Sequence, residues 1–276
     1  MERRYSPDQV RFSMMDTQEI RESFLIENLF ALDETVLVYS DIDRVIVGSA
    51  VPVNGALKLE AGKEIAAQYF AERREIGVIN IGGAGTVTVD GTGYSMVRLD
   101  ALYIGRGAKD ITFASEDPGN PAQFYFVSYP SHREYPTTHA PISRAEPVNL
   151  GSEKDSNKRT IYKYIHPEGI KSSQLVMGCT ILAEGSVWNT MAAHTHDRRS
   201  EVYMYFDCAP NAIVFHFMGE PQETRHIVVK KGQAVISPSW SIHAGCGTCN
   251  YAFVWAMGGE NQAFGDMDGI PVPDLM

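Results

Sequence analysis

The stretch His194-Thr195-His196-Asp197-Arg198-Arg199-Ser200-Glu201, answered further on by Gly232-Gln233-Ala234-Val235-Ile236-Ser237-Pro238-Ser239-Trp240-Ser241-Ile242-His243, decides how this chain reads. Two histidines one residue apart point the same way on a strand, because side chains alternate from face to face. A carboxylate on the next strand can join them, and a third histidine from a distant hairpin completes the set. Three imidazoles and one carboxylate suit a borderline divalent cation such as zinc, manganese or iron, with positions left open for a substrate. The candidate metal ligands are therefore His194, His196, Glu201 and His243.

Outward from that stretch the second half is rich in β-formers, with strands expected over 174–178, 201–206, 212–217, 224–229, 234–237 and 251–255. The first half has the same texture, with strand-like runs at 35–39, 44–47, 75–81, 86–89 and 102–105. Glycine turns punctuate them. Asp90-Gly91 is a hairpin signal. Gly82-Gly83-Ala84-Gly85 reads as a turn, since a dinucleotide loop would need a helix after it and here a strand follows. Many short strands between such turns predict a sandwich or barrel. One helix is expected over 16–31, capped by Asp16 or Thr17, with Ile20, Phe24 and Leu25 on one face. Prolines at 136, 141 and 147 in a polar stretch predict a linker over 131–158, between a first domain at 1–130 and a second at 159–276. The tail with Asp266-Met267-Asp268 is expected to wrap over the second domain.

A weak internal repeat supports two units of like topology. Arg73-Arg74-Glu75-Ile76-Gly77-Val78 parallels Arg198-Arg199-Ser200-Glu201-Val202-Tyr203, and 101–106 falls where 233–238 does. All eight histidines lie at or beyond His132, and all four cysteines at or beyond Cys179. The first domain thus has no imidazole or thiolate with which to build the same site.

The chain has 276 residues, 44% hydrophobic and 21% charged, with a formal net charge of −10. That is globular composition, and an acidic surface argues against nucleic acid or an anionic membrane as partner. No apolar run suits a membrane span, and residues 1–7 lack a signal-peptide core, so a cytoplasmic protein is expected. Few cysteines fit a reducing compartment. Cys246-Gly247-Thr248-Cys249 follows a histidine motif instead of opening a helix, and reads as incidental.

His-x-His-(x4)-Glu followed by Gly-(x5)-Pro-(x4)-His closely resembles the two motifs of the cupin superfamily, with Trp240 standing where many cupins have glycine. The resemblance implies an all-β bicupin: two jelly-roll barrels with a short N-terminal helix, only the C-terminal barrel binding metal. Trp188-Asn189-Thr190-Met191, Arg198-Arg199, 221–228, 237–243, Glu72-Arg73-Arg74-Glu75, 77–85 and 258–262 with 266–268 are similar to the 5-keto-4-deoxyuronate isomerase family, from about residue 16 to the C-terminus. That resemblance implies a cytoplasmic, hexameric enzyme with one Zn2+ per subunit. It would convert 4-deoxy-L-threo-5-hexosulose uronate into 3-deoxy-D-glycero-2,5-hexodiulosonate during breakdown of pectin and related uronates.

Such a reaction needs a Lewis acid, a group to move a proton between C2 and C1, and a cation for the carboxylate. Glu223, Arg225 and Ile227 share one strand face, and Thr224, His226 and Val228 the other. With the first face inward, Glu223 shuttles the proton and Arg225 forks the carboxylate. With the second inward, His226 is the acid–base group. His216 is expected in the core or an interface, and Tyr203, Tyr205 and Trp188 in a pocket wall or the core. Two other classes share the ligand pattern: a cupin dioxygenase using iron or manganese on another small anionic substrate, and a non-catalytic sensor or storage cupin. A DNA-binding sensor would carry a helix-turn-helix or basic patch, and neither is found.

Overall fold

Alternating β-branched and aromatic residues form strands along most of the chain. A computed structural model describes residues 1–145 and 147–276, and among these the α-helices are Gln9–Ser13 and Thr17–Phe24. The second helix begins with a capping box: Asp16 accepts from the Glu19 amide at 2.9 Å, and Glu19 accepts from the Asp16 amide at 2.9 Å. It is shorter than the helix expected over 16–31. Phe24, Leu25 and Ile26 are buried consecutively, which one face of a helix cannot do. The chain instead extends, and Leu25–Ile26 pairs with Val235 and Ala234 at a sheet edge. The first helix was not anticipated. Asp8 caps it by accepting from the Arg11 amide, and it carries the buried Phe12. No helix among the described residues is long and apolar enough to cross a membrane.

The chain divides into two compact units that exchange segments in sequence. The first comprises Met1–Arg3, Leu29–Ala145 and Tyr164–Val176, and the second Arg4–Asn28, Glu146–Lys163 and Met177–Met276. The division therefore differs from the expected 1–130, 131–158 and 159–276. The expected linker itself contains short strands, Thr138–Ala140 and Pro147–Leu150, which pair with Ala101–Ile104 and Arg159–Ile165 respectively. Glu146, inside that linker, lies outside the described residues.

Each unit is built on a seven-stranded and a four-stranded sheet. In the larger sheet of the first unit, Arg74–Asn80 lies between Phe124–Pro130 and Ala101–Ile104. In that of the second, Arg199–Phe206 lies between Ala252–Gly259 and Ala234–Ser237. The repeated arginine motifs thus open topologically equivalent central strands. Ile76 faces Ile104 across the first ladder where Glu201 faces Ser237 across the second. The first unit has filled the equivalent position with core. Ile76, Val78, Leu102, Phe113, Phe124 and Phe126 are buried together, with Phe113 stacked on Phe126 at 5.6 Å. Burying each ring stabilises the fold by about 2–3 kcal/mol.

The turns behave as their residues require. Gly85–Val89 pairs with Thr92–Met96, and Asp90 and Gly91 between them take positive φ of 48° and 83°, the two-residue hairpin geometry. At Gly83 a Cβ would stand 1.9 Å from the Asn120 carbonyl oxygen, so the 82–85 cluster is needed for close approach of two backbones.

Candidate metal centre

Three separate pieces of the second unit deliver the site. Strand Arg199–Phe206 is buried along its whole length and holds Glu201 opposite Ser237 and Met257. The short strand His194–Thr195 pairs with Asp268–Gly269, so the tail fixes the first histidine motif. His243 follows a turn closed by Ser241 N–H to the Pro238 carbonyl at 3.0 Å and precedes strand Ala244–Gly247. The proline and serine of the second motif thus aim the third imidazole.

One donor atom from each of His194, His196, Glu201 and His243 lies within 4.8 Å of the others. Glu201 Oε2 is 2.9 Å from His243 Nε2 and 3.2 Å from His196 Nε2, and His243 Nε2 is 3.0 Å from His194 Nε2. His196 Nδ1 lies 2.9 Å from the Arg199 carbonyl, and His243 Nδ1 lies 3.3 Å from the Ser241 carbonyl. A carbonyl only accepts, so each Nδ1 carries the proton and each Nε2 turns a lone pair inward. Converging lone pairs beside a carboxylate repel unless a cation sits among them. This donor set fits a divalent metal.

Electrostatics agree. Burial pushes His194 down to about 3, helped by neighbouring His243, so its imidazole is neutral and able to ligate. Burial alone would raise the Glu201 carboxyl. The neighbouring His243 and His196 side chains outweigh it and hold the group well below the usual carboxylate range.

Two arginines before Glu201 lock the surroundings. Arg199, 1% exposed, donates from Nη1 to the carbonyls of Asn261 and Ala263, and from Nη2 to those of Phe264 and Asp266. Arg198 pairs with Asp266 at 2.6 Å and Asp268 at 2.8 Å. The tail therefore does wrap the second unit, tied down by the doublet next to the ligands.

A cavity of about 160 Å³ adjoins the site, walled in part by His194, Glu201, Arg159, Thr190, Tyr203 and Trp255. Tyr203 shares a hydrogen bond with Thr190 at 3.1 Å, and burial first, then Glu201, pushes its hydroxyl well above its ordinary value. Arg159 donates to the Asn157 carbonyl at 2.9 Å from Nη1, and burial lowers it from its ordinary value. Sequence reasoning missed Arg159, since a lone arginine opening a strand carries no motif. His216 is in the core as expected, 2.7 Å from the Tyr205 hydroxyl, and burial pushes it down to about 3. Trp188 stacks on Phe217, and Trp240 packs edge-on against Phe12 at 5.2 Å, outside the cavity wall.

Glu223, Arg225 and His226 lie on Glu223–Val229, the edge strand of the four-stranded sheet. Ile227 and Val229 are buried and His226 is exposed, so the Glu223/Arg225 face is the inward one where the strand enters the core. At its outer end Glu223 and Arg225 pair at 2.8 Å, and Arg225 also donates to the Ser13 carbonyl at 2.8 Å. None of the three is in the wall of the 160 Å³ cavity. Cys246 and Cys249 are free thiols.

The family described as KduI/IolB matches residues 25–268. A protein of Caldicellulosiruptor bescii called 4-deoxy-L-threo-5-hexosulose-uronate ketol-isomerase is 56% identical over 275 residues, covering 100% of both chains. One of the same name from Lachnoclostridium phytofermentans is 60% identical over 259 residues, 94% of each chain. Among solved structures, an IolB-like protein from Salmonella typhimurium superposes with a TM-score of 0.72 at 11% identity, over 90% of this chain and 96% of that one. This last likeness is one of fold alone.

Proposed function

Because this chain belongs to the KduI/IolB family, we propose that it is a metal-dependent ketol-isomerase that converts 4-deoxy-L-threo-5-hexosulose uronate into 3-deoxy-D-glycero-2,5-hexodiulosonate. The observation that carries this reading beyond the relatives' names is the convergence of His194, His196, Glu201 and His243 on one point. We assign them as ligands of a single Zn2+ per subunit, in the C-terminal member of two cupin barrels of a cytoplasmic homo-oligomer. Three imidazoles and a carboxylate are a zinc-compatible set with room for substrate oxygens. When bound, the ion supplies Lewis-acid polarisation to the carbonyl and hydroxyl oxygens of the substrate.

The rest falls to side chains. Arg159 stands in the cavity wall with hydrogen-bonding capacity left on its guanidinium, which supports it as the fork for the uronate carboxylate. The tyrosine and tryptophan walls exclude water while the proton moves. For the proton carrier, Glu201 is held too acidic and Tyr203 too basic for exchange near neutrality. We therefore keep Glu223 as the acid–base candidate, with His226 on the opposite strand face as the alternative. Arg225 would have to leave its contacts with Glu223 and Ser13 to reach substrate.

The test is metal analysis together with an isomerisation assay on the product of unsaturated oligogalacturonate breakdown. The parent chain is expected to hold one zinc and turn over, and His196→Ala to lose both. Dioxygen consumption during turnover would replace the isomerase reading with the dioxygenase one.

A further inference from the structure

A second cavity, of about 440 Å³, lies wholly within the first unit, and its wall includes no candidate metal ligand or catalytic residue assigned above. Its wall holds Arg44, Arg73, Arg74 and Arg106 together with His132, against a single carboxylate, Glu64. Four guanidiniums converge on one hollow in a chain whose formal net charge is −10.

Arg74 is the deep member, 6% exposed. It donates from Nε to Ser128 Oγ at 3.0 Å, and from Nη2 to the carbonyls of Arg44 at 2.5 Å and Ser128 at 2.8 Å. These partners are neutral, and no described residue is hydrogen-bonded or ion-paired with Nη1. Among the described residues no carboxylate forms an ion pair with Arg74, Arg44 or Arg106. Arg73 has only Glu72, at 3.8 Å. Glu75, next along the strand from Arg74, points to the opposite face. It is consumed there by the Tyr103 hydroxyl and the amides of Ser173, Gln174 and Leu175.

A buried cation without a counter-charge, flanked by like charges, is costly in a folded protein. Burial accordingly lowers Arg74 to about 10. Its topological counterpart Arg199 shows the contrast, with four carbonyl partners and the charges of Glu201 and Asp266 nearby. The loops that bring Arg44 and Ile65 to the cavity also adopt left-handed backbone at residues other than glycine: Asp43 (φ 45°), Arg44 (φ 52°) and Ala66 (φ 45°). Such conformations persist where the surroundings force them, and they cluster at ligand clamps.

We propose that this cavity is a binding site for a small organic oxyanion, a carboxylated or phosphorylated molecule of about sugar size. Guanidinium forks match either head group in bidentate fashion, and the hollow is in the size range of small-ligand sites. Tyr39, half-buried in the wall, gives a sugar ring an apolar face to pack against. The proposal does not depend on the reaction at the metal centre.

The test is calorimetric titration of the full chain with glucuronate and, separately, glucose 6-phosphate, ionic strength being balanced with chloride. One of the two is expected to bind saturably. Arg44→Gln/Arg106→Gln should weaken it by about tenfold or more, as loss of charge-assisted bonds implies, and His243→Ala should bind as the parent does. Should the double variant fail to fold, Arg44→Gln alone serves, because that exposed side chain has no hydrogen-bond or ion-pair partner among the described residues. The probe that saturates identifies the head group. The proposal is overturned if neither probe saturates, if the arginine variants bind as tightly as the parent, or if His243→Ala abolishes binding. A change of oligomer mass in Arg44→Gln without probe binding to the parent would assign the arginines to a contact with a second copy, and would overturn it too.

Discussion

At His216 an imidazole sits fully buried, hydrogen-bonded through Nδ1 to the Tyr205 hydroxyl, with no partner on Nε2. Its folded value of about 3 lies below the 6.5 of a free histidine. Below pH 6.5 the unfolded chain takes up a proton that the folded chain refuses. Stability from this group is therefore complete above pH 6.5 and is lost as pH falls toward 3. Between pH 6.5 and 5 the loss is about 2 kcal/mol. His216→Gln keeps a bonding group for Tyr205 and removes the titration. Urea unfolding at the two pH values should show a smaller acid loss in the variant. Arg159 can be read by kinetics: Arg159→Met is expected to raise KM for the uronate about tenfold or more while kcat changes less, since the carboxylate it is proposed to hold does not react. An unchanged KM would remove it from substrate binding. The clustering of His194, His196, Glu201 and His243 was legible because their spacing is a strand-period pattern. Arg159 was illegible because its place in the wall is set by how strands stack, which spacing along the chain does not record.

Among the elements, helix Thr17–Phe24 depends on its reciprocal cap, and Asp16→Ala should lower unfolding stability by about 1 kcal/mol, seen as a shifted urea midpoint with an unchanged slope. Strand Glu223–Val229 shows how far alternation can be read. Period two separates Glu223, Arg225 and Ile227 from Thr224, His226 and Val228, and burial of Ile227 and Val229 selects the face. Alternation does not say that helix Gln9–Ser13 supplies a carbonyl at the strand's outer end, where Arg225 is engaged with Ser13. Glu223→Gln puts the proton carrier to the test. If Glu223 moves the proton, the variant keeps its metal and loses about a hundredfold or more in kcat. Full turnover would shift the role to the cavity wall. The helix end was misjudged for a related reason. Leu25 and Ile26 extend the apolar stripe of a helix in sequence, and only the sheet edge at Ala234 and Val235 makes a strand the better burial.

Over the whole molecule, paired sheets of matching strand order were foreshadowed by the repeated arginine motifs, but the exchange of segments was not. Tyr164–Val176 belongs to the first unit, and it carries the three amides that bond Glu75, a carboxylate with no exposure. A fragment ending at residue 145 leaves that charge with the Tyr103 hydroxyl alone, a loss on the order of 3–5 kcal/mol. It should fail to give a cooperative thermal transition, whereas a fragment carried through residue 176 has the donors it needs. The tail has a different consequence, one of timing. The carbonyls of Asn261, Ala263, Phe264 and Asp266 hold Arg199, and Asp268–Gly269 is the strand partner of His194–Thr195. A ribosome that has already made all four ligands has not yet made the residues that fix two of the three pieces presenting them. Assembly of the candidate metal site is therefore set to be among the last events of biosynthesis, and a chain released early would leave the ribosome with the His–Glu motifs complete and no assembled site.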